Sequence, residues 1–289
     1  MLRALAAATL FAGACTSPSS VNEFAGADVA PLAVQISATP PPDANGLFAR
    51  NAVLRLVLDD YPDPETAAFG PVLLRSGKGN FDVDVRVDLV GRAILVHPRS
   101  LLQPETEYEV LMNPNVRALD GRAIGGTGFA ASITTGDVDA IADPMVFQTP
   151  PVSWSATVAP AMRNCSTDCH AGSNTMGVVQ RALDFDRGPG DPVFGLIDVP
   201  SLSQAGTAHP LARVTPGDSA RSVLVRKLIG GNAHEASGDP PYPEMGVDGR
   251  RMPIQADPLR NPSPPPPFDD SAIAVIQAWI DQGAIVDGN

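Results

Sequence analysis

Residues 81–89 read FDVDVRVDL, and this stretch narrows the folds open to the chain more than any other. Phe81, Val83, Val85 and Val87 alternate with Asp82, Asp84, Arg86 and Asp88. A strict period of two puts apolar groups on one face of an extended chain and charge on the other, so the stretch predicts a strand with one side buried. NAVLRLVLDD repeats the pattern, with Leu54, Leu56 and Leu58 on one face. RAILVHP, EYEVLMN and FAASITTG are further short strands, and SGKGN, QPET and ALDGR are turns between them. From residue 29 to residue 136 the reading is six or seven strands with no helix among them, which predicts an antiparallel β-sandwich. His97, on a strand just before Pro98, has no other histidine or cysteine near it in the sequence of this domain and is read as structural.

Residues 137–152, DVDAIADPMVFQTPPV, read as a linker stiffened at its end by Pro150 and Pro151. After it the apolar spacing changes. WSATVAPAMRNC has Val158 and Met162 four apart, GDSARSVLVRKLIGG has Leu224 and Leu228, and DDSAIAVIQAWIDQGA has Ile273, Ile276 and Ile280. The last is the clearest helix: Asp270 or Ser271 caps its start, Trp279 joins the apolar side, and Gly283 ends it. Thirty prolines and twenty-six glycines keep elements short. Residues 153–289 therefore predict a mainly α, loop-rich domain whose three short helices make a thin core. Such a domain needs something else at its centre.

In the first half, several landmarks follow in order: ISATPPPD, LVLDDYPDPET, ILVHPRSLLQPETEYEVLM, VRALDGRAI and FAASITTG. That order resembles the bacterial Ig-like domain of S-layer and other cell-surface proteins. The resemblance implies an Ig-like sandwich acting as a spacer or adhesive unit, and it implies no chemistry.

The N-terminus, MLRALAAATLFAGAC, carries Arg3 before an apolar run from Ala4 to Ala14 that is too short to span a membrane. FAGAC resembles a bacterial lipobox, with Ala12 where leucine is usual, which would make Cys15 a lipidated N-terminus. Ala12-Gly13-Ala14 also fits an ordinary small-x-small cleavage site. Residues 1–15 are thus expected to be an export signal and residues 16–28 a polar tether. The expected location is the periplasm or cell surface, with a lipid anchor in the outer membrane as the one link to lipid. A net charge of −12 without a basic stripe argues against nucleic acid and anionic membrane surfaces as partners.

Of the three cysteines, export processing accounts for Cys15, leaving Cys165 and Cys169 in CSTDCH. A close pair in an oxidising compartment either bridges itself or holds a cofactor. Covalent haem attachment uses Cys-x-x-Cys-His, and here Ser166, Thr167 and Asp168 widen the gap by one residue. On a helix, residues four apart still share one face, so two thioether bonds to a haem stay within reach, with His170 placed next to the iron. GRRMPIQ offers Met252 as a second axial ligand, and Met245 and His234 are alternatives.

VAPAMRNCSTDCH, ALDFD, GLIDVPS, RVTPGDSARSVLVRKLIGG, RMP and IAVIQAWIDQGA follow one another across residues 154–285. Their order resembles the single-haem cytochrome c domain of the Planctomycete type. The resemblance implies one covalent haem c on Cys165 and Cys169, with His170 as proximal and Met252 as distal iron ligand. The widened cysteine spacing departs from the family pattern.

The leading expectation is an exported c-type cytochrome that passes single electrons to an unidentified redox partner, carried on an Ig-like spacer and more an electron carrier than an enzyme. Two alternatives remain: a haem enzyme or redox subunit with a labile sixth ligand, and a haem-free surface or adhesion protein with a Cys165–Cys169 disulfide. A zinc site from Cys165, Cys169, His170 and either His209 or His234 is a further one.

Overall fold

The computed structural model describes residues 30–67, 71–77, 79–119, 122–140, 151–163, 170, 183–201, 211–229 and 268–287. Eight strands are described: β1 Val34–Thr39, β2 Val53–Leu58, β3 Val72–Ser76, β4 Gly79–Phe81, β5 Val83–Asp88, β6 Ala93–Pro98, β7 Glu107–Met112 and β8 Phe129–Thr134. They form two antiparallel four-stranded sheets, in the orders β1-β2-β6-β5 and β4-β3-β7-β8. Lettered along the chain as A, B, C, C′, D, E, F and G, these are ABED facing C′CFG. That is the strand order of an immunoglobulin-type sandwich.

The alternation read in the sequence becomes the layering of the core. Leu54, Leu56 and Leu58 of β2 and Ile94 and Val96 of β6 are buried from one sheet. Leu74 of β3, Val110 of β7 and Ile133 of β8 meet them from the other, in one apolar cluster. Tyr108, near the start of β7, lies in that cluster with its hydroxyl turned back to accept from Gln103 N at 2.8 Å. This is the tyrosine corner of Ig-like sandwiches, in which a fully buried phenol satisfies an upstream amide that no strand partner reaches. Phe81 packs on its ring edge-on, at 5.0 Å between centroids.

Three expectations need correction. Eight strands are described where six or seven are expected. FDVDVRVD is not one strand: β4 ends at Phe81 on β3, and β5 begins at Val83 on β6 in the opposite sheet. The chain crosses between sheets at Asp82, whose carbonyl accepts from Arg99 N at 3.0 Å. Phe81, Val83, Val85 and Val87 still all face the core, because the alternation survives the crossing. Nor is the sandwich free of helix. A single turn, α1 Pro64–Ala67, follows β2. Asp63 Oδ1 caps it by accepting from Glu65 N at 3.0 Å, and Pro64 sits in the first turn, where its missing N–H costs nothing.

Residues 137–140 still lean on the sandwich: Arg50 N donates to Val138 O at 3.0 Å, and Arg50 pairs with Asp139 at 3.5 Å. The rest of the expected linker up to residue 150 lies outside the described residues. Beyond it, α2 starts with a π-helical turn, Trp154–Val158, and runs on through Ala159–Ala161. Ser153 caps it, and Asp287 Oδ2 accepts from Ser153 Oγ at 2.7 Å and Ser155 N at 2.6 Å, fastening the end of the chain to the helix start. A 3-10 turn, Phe185–Arg187, and helix α3, Val223–Ile229, follow.

The last helix, α4, spans Asp270–Asp281 and buries Ile273, Ile276, Trp279 and Ile280. Its cap lies one residue before the expected pair: Asp269 Oδ1 accepts from Ala272 N at 2.7 Å. The other end is a Schellman motif. Ala284 N donates to Trp279 O and Gly283 N to Ile280 O, each at 2.9 Å, with Gly283 at φ +99°. Among the described residues no helix is long and apolar enough to cross a membrane.

The described helices share a second apolar cluster, with Trp154 against Trp279 at 5.0 Å and Val158, Met162, Leu228 and Ile276 around them. One member comes from the sandwich. Leu89, in the β5–β6 turn, is 0 % exposed inside this cluster, and Tyr61, Val87, Val90 and Leu119 pack against it. The turn fits so closely because Gly91 has no side chain: a Cβ there would collide with Asp88 Oδ2 and lie 2.7 Å from Arg55 Nη2. The described helices thus share their apolar cluster with a turn of the first half.

Candidate functional site

Of the residues expected to hold a cofactor, the described part of the structure contains His170. Cys165, Cys169 and Met252 lie outside the described residues, as do the alternatives Met245, His234 and His209 and the processing site at Cys15. His97 lies in β6 opposite Asp84, in the sandwich.

The surroundings of His170 are set by the segment that follows. Phe185 N donates to His170 O at 2.7 Å, which ties the histidine backbone to the start of the 3-10 turn. That turn exists because Asp184 Oδ1 accepts from Asp186 N at 3.0 Å. The Phe185 ring then meets the imidazole edge-on, at 6.0 Å and 83°. On its other side the ring places Nδ1 3.4 Å from Leu183 O, at the long end of hydrogen-bond distance. A carbonyl can only accept, so this contact puts the proton on Nδ1 and leaves the lone pair on Nε2.

Burial lowers the pKa of His170; the Leu183 contact opposes this, and Arg213 and Lys227 add to the lowering. The result is a neutral imidazole in a half-buried, electropositive setting. Arg213 is itself buried, with Nη1 donating to Gly195 O at 2.6 Å and to Val193 O at 3.4 Å. Burial lowers its pKa. A neutral imidazole with Nε2 as its lone-pair nitrogen is the form that ligates a metal, and a carbonyl on the other nitrogen is the usual device for aiming it. His170 thus fits the role of an iron ligand.

Among the described residues, no group of three or more His, Cys, Asp or Glu side chains is placed to hold a metal ion. Leu183 and Phe185 fall within ALDFD, which the sequence reading quoted without assigning either residue a role. Leu183 acts through its carbonyl and Arg213 through the fold of the 193–196 loop, so neither left a side-chain signature to read.

No family model matches the chain, and no curated protein matches it. Among solved structures, the N-terminal part of the bacterial S-layer protein SbsC matches over 37% of this chain and 24% of that one, at 13% identity and a TM-score of 0.30. The native conformation of E. coli alpha-2-macroglobulin matches over 37% of this chain and 6% of that one, at 18% identity and the same TM-score. This chain thus spans a small fraction of either protein. Likeness at this level carries no argument, and the sandwich stands on its own strand order.

Proposed function

We propose that the protein is an exported single-haem c-type cytochrome that carries electrons, with the Ig-like sandwich as the body on which the haem-bearing half is mounted. The observation that carries the reading is His170. It directly follows Cys169 in CSTDCH, and its ring has the tautomer, neutrality and partial burial that iron ligation needs. Cys165 and Cys169 would hold the haem by thioether bonds, with His170 as the proximal ligand and Met252 as the distal one. The haem would supply reversible one-electron exchange at iron, and two protein ligands would leave no open position for substrate.

The chain's own residues do the rest. Leu183 O faces Nδ1, Phe185 covers the ring from the side, and burial, with smaller help from Arg213 and Lys227, disfavours protonation of the ring. A chain of net charge −12 favours a basic redox partner. In this reading the mature protein lies in the periplasm or at the cell surface, anchored through lipid on Cys15.

The test is a denaturing gel stained for haem after expression in a host that matures c-type cytochromes. A stained band at the protein's mass is expected, and a colourless one overturns the proposal. In the stained protein, loss of the near-infrared sulfur-to-iron band in Met252→Ala would identify the distal ligand.

One observation favours a second reading, a haem-free surface protein with a Cys165–Cys169 disulfide. The described helices share an apolar cluster with Trp154, Trp279 and Leu89, built from protein side chains alone. Thiol titration under denaturing conditions separates the two. A disulfide yields two extra thiols on reduction, whereas thioether-bound cysteines yield none.

A further inference from the structure

Arg213 is one of two arginines that are buried among the described residues, with 7 % of its surface exposed. A guanidinium keeps its charge inside a protein, so burying one is costly unless the surroundings are built to hold it. The loop before Arg213 is built that way. Nη1 donates to Gly195 O at 2.6 Å and to Val193 O at 3.4 Å. That loop is folded tightly: Gly195 N donates to Asp191 O at 3.0 Å, and a Cβ on Gly195 would lie 2.5 Å from the same oxygen. The backbone of Arg213 is fastened too, its N donating to Val199 O at 2.8 Å and its O accepting from Leu224 N of α3 at 2.9 Å.

The loop that grips Arg213 also touches the segment that faces His170. Asp184 N donates to Phe194 O at 2.9 Å, and Phe194 stands between the two residues whose carbonyls hold the guanidinium. On either side of Asp184, Leu183 meets the imidazole through its carbonyl and Phe185 through its ring. A single short segment, 183–185, thus contacts the His170 ring and, through Phe194, the cradle of Arg213. The positive charge reaches the ring: Arg213, and after it Lys227 of α3, add to the lowering of the His170 pKa.

We propose, resting on the haem function proposed above, that Arg213 is a fixed cation that raises the reduction potential of the iron held by His170.

The sign follows from charge balance. Reduction of ferric to ferrous iron takes one electron from the redox partner and lowers the charge of the centre by one. A cation close by therefore disfavours the ferric form more than the ferrous form, and the potential rises. Salt screens a buried charge little, so the effect of Arg213 persists at high ionic strength. Lys227 is half-buried, and its smaller share is screened more.

The experiment is a spectroelectrochemical titration of the full chain, matured with haem, at low and at high salt. The parent is compared with Arg213→Gln, Arg213→Lys and Lys227→Gln after each has been stained for haem on a denaturing gel. A parent band without haem overturns the proposed function and this inference together, whereas a stained protein tests the inference alone. Arg213→Gln is expected to lower the potential, so that the ferrous-to-ferric ratio at a fixed applied potential falls severalfold at both salt levels. Arg213→Lys gives up the fork of hydrogen bonds but keeps the charge, and is expected to stay near the parent. Lys227→Gln is expected to shift the potential less, and less again at high salt. An unmoved potential in Arg213→Gln overturns the proposal. So does an Arg213→Lys potential that falls as far as that of Arg213→Gln, because lost structure and not lost charge would then be the cause. Should Arg213→Gln fail to fold, an Arg213→Lys potential well below the parent overturns it equally.

Discussion

The sandwich and the helical half solve the same problem in opposite ways. In the sandwich every strand finds its hydrogen-bond partner in a neighbouring strand, and the core is filled from both sheets by residues of that same domain. The described helices of the second half are short, and their apolar cluster includes Leu89 from a sandwich turn. The first is a unit whose interior is settled by its own alternation. The second is a layer whose interior is settled by what it lies against. An Ig-like domain read as a spacer is here a packing partner, and the helical half is expected to unfold before the sandwich does.

The two tryptophans, Trp154 and Trp279, both lie in the helical half, so tryptophan fluorescence reports on that half while far-ultraviolet circular dichroism is weighted towards the sheets. The largest effect is expected from Trp279→Ala. It empties the centre of the second cluster and should cost about 3–5 kcal/mol, read as an earlier fluorescence transition in denaturant with the sandwich signal lagging behind.

Leu89→Ala sharpens the comparison most. Its Cα belongs to the sandwich and its side chain to the other core. A loss of about 2–4 kcal/mol should appear in the fluorescence transition and leave the sheet signal the more stable of the two. Equal shifts in both signals would show the halves to be one cooperative unit, and no shift would break the idea of a shared core.

Tyr108→Phe tests the sandwich alone. It strips the acceptor from Gln103 N, and about 1–2 kcal/mol should be lost from the sheet transition. Asp269→Ala, removing the cap of α4, should cost about 1 kcal/mol, confined to fluorescence.

Much of this was legible beforehand. Leu54, Leu56 and Leu58 stand on one buried face because a strand's side chains must alternate. Ile273, Ile276, Trp279 and Ile280 form one buried stripe because their spacing matches the helical repeat. The α4 cap was displaced by one residue, since Asp269, Asp270 and Ser271 are all competent caps and only the backbone turn selects among them. At the candidate site, His170 stood out through its place beside Cys169. Leu183 and Arg213 did not, because a backbone carbonyl and a loop-anchored guanidinium have no local pattern.

By itself the sequence determined which residues face inward, where the strands give way to helices, and the order Cys165, Cys169, His170. Those properties are local: they follow from side-chain periodicity, turn chemistry and adjacency in the chain. Only the tertiary structure decided that residues 81–88 serve two sheets, that Leu89 belongs to the helical core, and that Gln277 of α4 reaches Asp88 and Val90. Alternation fixes which side of a strand is apolar and is blind to which strand lies alongside. A buried position exists only once distant segments have met, so Leu89's destination is not written in the residues next to it.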